Sequence, residues 1–100
     1  MQYILLNYGL NKSYNIHQNV FVQVINNSLN AKKEIELIDE PIVSFVEQNT
    51  NVEIFINIKI KIDLDIIEII NHLTTSINED MKNLIGVAPK NIQINYQGRF

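Results

Sequence analysis

The stretch "NVEIFINIKIKIDLD", Asn51 to Asp65, decides the fold, because it is written as two interleaved sequences. Val52, Ile54, Ile56, Ile58, Ile60, Ile62 and Leu64 take every second position. Glu53, Phe55, Asn57, Lys59, Lys61 and Asp63 fill the gaps. Successive side chains of a strand point to opposite faces, so this period of two predicts a strand over 52–62 with one face buried. The other face carries a lone aromatic and two lysines, and its purpose is the functional question.

On the N-terminal side, "QNTN" at 48–51 reads as a hairpin loop, which pairs the long strand with one near 42–47. Pro41 has no N–H to give to a ladder, so it separates this partner from a short piece at 34–38. On the C-terminal side Asp65 is placed to cap a helix, with Glu68 three residues on and Leu64 able to staple against Ile69. Ile66, Ile70, Leu73, Ile77, Met81 and Leu84 form the apolar stripe of that helix. Gly86 stops it, with Val87 able to fold back on Met81 as in a Schellman turn, and Pro89 blocks continuation. "NIQINYQG" then alternates Ile92, Ile94 and Tyr96 inward, which predicts a terminal strand.

Further upstream, Val20, Phe21, Val24, Ile25, Ser28 and Leu29 share one face at helical spacing, and we read 18–30 as a helix despite its β-branched residues. "YILLNY" at 3–8 ends at Gly9, and "GLNKS" is a turn before "YNI" at 14–16. Residues 1–13 are therefore either a loose N-terminal arm or an extra strand. The order β-α-β-β-α-β predicts an α+β fold, one small sheet with two helices packed on one face, in a ferredoxin-like or related split-βαβ arrangement. Nothing in the chain would then cover the opposite face, where Phe55 and Phe45 are expected to be exposed.

A chain of 100 residues, 46% apolar and 19% charged, is sized and composed for one domain over 1–100. Isoleucine and asparagine are over-used, as an A+T-rich coding sequence would produce. The net charge of −3 argues against a domain devoted to phosphate backbone. Without cysteine there is no disulfide framework, thiolate nucleophile or zinc ribbon. The start "MQYILLNYGLNKSYN" lacks the pattern of a signal peptide, and no window approaches the run of about 20 apolar residues that spans a bilayer. The chain is expected in the cytoplasm, without direct membrane insertion, unless a partner holds it at a membrane.

Catalysis needs convergent groups, and the sequence offers few. His17 and His72 fall on different elements, with His72 on the polar side of the second helix beside Glu68 and Asn71. Asp63, Asp65 and Glu68 lack the Gly and distal Glu of a calcium loop, so capping explains them better than a metal. No serine sits in a nucleophile elbow, and three glycines make no phosphate loop. We expect no enzyme, no cofactor and no metal site.

Phe55, Lys59 and Lys61 remain as the candidate binding residues. Aromatics among lysines on a sheet face can stack single-stranded RNA, but Glu53 and Asp63 bracket this set and no GxxG clamp is present. An exposed aromatic on an uncovered face fits a protein partner or a second copy of the chain better, so nucleic acid is the alternative reading.

"VEIFINIKIKIDLDIIEIINHLTTSINEDMKNLIGVAPKNIQINYQG" resembles the alkaline shock protein family of bacterial envelope-stress proteins. In that family a long alternating strand leads into an amphipathic helix, a methionine-containing helix end and a Gly, then a short strand closing in a Gly. The matching marks are Met81, Gly86, "NIQINYQG" and Gly98, while "YNIHQNVFVQVINNSLN" is similar to the family's short strand and first helix. The likeness spans 14–98; it departs at "AKKEIEL", where the family has a glycine after helix one, and at "DLDII", where Asn-Ile-Pro is common. It implies a non-enzymatic, cytosolic bacterial protein that is linked to the cell envelope and can be tethered to the membrane by a separate anchor protein. It assigns no catalytic residues.

Overall fold

In the computed structural model, which describes residues 3–7, 13–48 and 50–100, the chain order is β1 (Tyr3–Asn7), β2 (Ser13–His17), α1 (Gln18–Asn30), β3 (Ile35–Val46), β4 (Asn51–Ile60), α2 (Ile66–Ile85) and β5 (Asn91–Arg99). β4 is the middle strand of a sheet ordered β3-β4-β5, antiparallel to β3 and parallel to β5. Its even-numbered residues Val52, Ile54, Ile56, Ile58 and Ile60 are all buried, while the odd ones between them are half-buried on the opposite face. A hairpin can join β3 and β4 directly, whereas the parallel β4–β5 pair needs a crossover, and α2 is that crossover.

Both helices lie over the even-numbered face. Phe21, Ile25 and Leu29 of α1 and Leu73, Ile77, Met81 and Ile85 of α2 share one buried cluster with the β4 row, Ile35 and Val43. The expected α+β class, with two helices on one face of a small sheet, is therefore present. The sheet is smaller than expected, however. β2 pairs antiparallel with β1, from Tyr3↔His17 to Asn7↔Ser13, and does not join β3-β4-β5, so the four-stranded ferredoxin-like sheet is not formed. The turn expected at Gly9 falls on residues 8–12, outside the described residues.

Local sequence accounts for the boundaries. The Asp65 carboxylate accepts the Glu68 N–H at 3.0 Å, closing the first turn of α2 as an N-cap should. At the other end Gly86 has φ 83 and donates its N–H to Lys82 O at 2.9 Å, a left-handed stop that favours glycine. Val87, expected to fold back on Met81, instead stands 46% exposed. At α1 it is His17 that caps, its Nδ1 accepting the Asn19 N–H at 3.0 Å.

Pro41 does not end β3; it sits in a bulge. From Ile38 to Ile42 β3 uses four residues where β4 uses two, Asn57 to Phe55, with Asp39 at φ 60. Bulges are where a sheet tolerates proline. Because two residues are gained, the inward and outward alternation stays in phase. Phe45 therefore lies across from Val52 on the helix side and meets Phe21 edge-on at 5.6 Å. This corrects the expectation that Phe45 is exposed on the open face. Tyr96 does share the inner register, across from Ile58, yet is 38% exposed because β5 is an edge strand. β4 ends at Ile60 rather than 62, though Lys61 still donates to Glu34 O at 2.9 Å and Ile62 to Phe100 O at 2.9 Å.

Replacing Ile56 by Ala should cost about 2–5 kcal/mol in denaturant unfolding, since its site is sealed between β4 and the helices. Ile42→Ala, at a position 60% exposed, should cost about 0.5 kcal/mol or less. Asp65→Ala should remove about 1 kcal/mol and lower Tm by about 4–8 °C.

Candidate functional site

The open face is built by three strands that each show it their outward residues. β4 contributes Glu53, Phe55, Asn57 and Lys59 in a line, all half-buried by their neighbours in the face. Antiparallel pairing sets Ile42 beside Phe55, Ile38 beside Asn57 and Glu36 beside Lys59. On the other side β5 sets Gln93 beside Phe55 and Asn95 beside Asn57. Lys61, just past the strand end, is exposed, and its carbonyl accepts from Arg99 Nη1 at 3.1 Å.

The face is therefore divided in character. Toward β3 it is apolar, with Ile42, Phe55 and Ile38 adjacent. Toward β5 it is an amide ladder, in which Asn95 Nδ2 donates to Asn57 Oδ1 at 2.9 Å and Gln93 Nε2 to Asn95 Oδ1 at 3.2 Å. These bonds, one between strands and one along β5, hold the polar half in one arrangement and leave the apolar half as the part that gains from being covered. The sequence placed Phe55, Lys59 and Lys61 on the outward side of the long strand; Phe55 and Lys59 do share that side of β4, four residues apart, while Lys61 lies just past the end of β4. It missed Ile38 and Ile42. Counting cross-strand pairs back from the hairpin, Val46↔Asn51 to Ile42↔Phe55, would have found Ile42; the bulge hid Ile38.

The electrostatics are mixed. Glu36 lies directly across from Lys59, and Glu53 stands two residues before Phe55. At the hairpin end Lys90 Nζ meets Glu47 Oε1 at 2.9 Å, and the hydrogen bond to Glu47, followed by its charge, raises the Lys90 pKa. Asn51 ties the same end together, donating from Nδ2 to Ala88 O at 3.3 Å while its Oδ1 accepts the Val52 N–H at 2.7 Å.

A second place to consider is the start of α2, where Asp65, Ile67, Glu68, Asn71 and His72 line an open depression. All five are exposed, and Asp65 is engaged as the cap. His72 therefore lies with Glu68 in an open, solvent-exposed depression that one helix start lines alone, with no opposed groups across it. Among the described residues no group of three or more His, Cys, Asp or Glu is placed to hold a metal ion, and no helix is long and apolar enough to cross a membrane.

Compared with protein-family models, with curated proteins and with solved structures, the chain finds no match.

Proposed function

We propose that this chain is a non-catalytic interaction domain of the alkaline shock type, which assembles with copies of itself and docks a membrane-held protein partner. The observation that carries the reading is the uncovered sheet face, where Ile42, 60% exposed, sits beside Phe55 with no element of the described chain above them. Apolar side chains grouped on a rigid sheet and rimmed by charge are the usual material of a protein contact. Phe55 is the anchor in this reading, and Lys59 and Lys61 steer the partner electrostatically.

Support for the family part comes from the chain order β2-α1-β3-β4-α2-β5, from Met81 buried in the last turns of α2, and from Gly86 and Gly98, both at positive φ. The competing reading, a small single-stranded RNA-binding module on the same face, is weakened by Glu36 opposite Lys59, by Glu53 near Phe55 and by the net charge of −3.

The test is a pull-down from soluble and membrane fractions of the source cells, with and without nuclease, using the natural chain and the triple variant Phe55→Ala, Lys59→Glu, Lys61→Glu. We expect a membrane protein held by the natural chain, lost with the variant and indifferent to nuclease. The variant should unfold within about 1–2 kcal/mol of the natural chain, since no core residue is changed. Capture that vanishes with nuclease would replace this reading with the RNA one, and equal capture by both chains would remove the face from it.

A further inference from the structure

The two edges of the β3-β4-β5 sheet are treated differently. The β3 edge is closed in three ways: the bulge with Asp39 at φ 60, Pro41 within it, and the Gln18 side chain of α1, which donates to the Val43 carbonyl. Prolines, bulges and covering groups are how sheets prevent further strands from adding. From Asn91 to Tyr96 β5 has none of these. This stretch carries no charge and no proline, its register with β4 is regular, and the bulge of β5 comes only after Tyr96.

The backbone directions can be followed from the bonds at either end. Val52 and Ile60 offer their carbonyls toward β5, and Ile62 gives its N–H to Phe100, whereas Lys61 gives its N–H to Glu34 on the β3 side. Even-numbered residues of β4 therefore face β5. In a parallel ladder with Ile54↔Ile92 and Ile56↔Ile94, residues 91, 93 and 95 of β5 answer them. Ile92, Ile94 and Tyr96 are left with their N–H and C=O on the free edge, and among the described residues no side chain caps them. Their side chains, on the helix side, are also incompletely covered: Ile92 and Ile94 are half-buried and Tyr96 is 38% exposed.

We propose that this edge takes the β5 strand of a second copy of the chain, antiparallel, about a two-fold axis at Ile94, so that two sheets become one. The strand is self-complementary in that register. Ile94 faces Ile94 of the second copy in a hydrogen-bonded pair, and Ile92 faces Tyr96, an aliphatic against an aromatic on the half-covered helix side. Gln93 faces Asn95 on the open side, extending the amide ladder from one copy to the other. A shift by one residue would put Ile94 against Asn95 and turn apolar groups onto the polar face, so the pleat itself selects the alignment. The proposal specifies the self-association in the function proposed above, and it does not require the open face to bind anything.

Sedimentation of the purified chain up to several hundred micromolar tests it, because an interface of this modest size gives a concentration-dependent dimer. The expected limiting mass is twice the 11.6 kDa of one chain. Gln93→Glu with Asn95→Glu sets like charges opposite each other in both symmetry-related pairs and should weaken the dimer about tenfold or more. Gln93→Lys with Asn95→Glu sets opposite charges there and should restore it. Both positions are exposed, so folding is little affected. A single-chain mass at every concentration, an unaltered dimer in the first variant, or no difference between the two variants would overturn the proposal. The Phe55, Lys59, Lys61 variant should dimerise like the natural chain, which separates failure of the edge from failure of the face.

Discussion

One buried row, Val52 to Ile60 on β4, positions both helices and the neighbouring strands. Its alternation is unbroken, so one face of the strand must be removed from water along its whole length. Two elements are needed to cover such a row, and the chain supplies α1 before the hairpin and α2 after it. The helices are thus held to one side by the same residues that define the strand, and among the described residues no further helix lies over the opposite face. Burial of about 25 cal/mol per Å² rewards this division wherever apolar residues keep strict phase, and here they do for every residue of the row.

Much of this was legible because the signals were local. The hairpin, the α2 cap at Asp65, the stop at Gly86 and the span of α1 follow from turn chemistry, capping and periodicity within a few residues. The destination of β2 was not legible. "SYNIH" reads as a strand, but which strand it pairs with depends on partners far along the chain, and nothing in five residues distinguishes β1 from the main sheet. Phe45 was assigned to the wrong face for a related reason: only the pairing with Val52 fixes its side, and that pairing must be counted from the hairpin turn.

The candidate site was half legible in the same sense. Phe55, Lys59 and Lys61 share the phase opposite the buried row, so their outward direction follows from β4 alone. Ile42 and Ile38 belong to the neighbouring strand, where the bulge interrupts the reading, and the amides of Asn57, Asn95 and Gln93 come together only through a parallel pairing of distant segments. A face of a sheet is a property of several strands, and sequence periodicity describes them one at a time.

The bulge at Asp39–Pro41 has an effect on how this segment can vary. It adds two residues, an even number, and so returns Val43 and Phe45 to the helix side after the interruption. Adding or deleting a single residue there would set the half of β3 held by the hairpin, Val43 and Phe45, out of phase with Ile35 and Leu37 before the bulge. Length changes in this part of β3 are therefore admissible in pairs. Descendants of this sequence should keep the parity of the segment more strictly than the identity of any residue within the bulge.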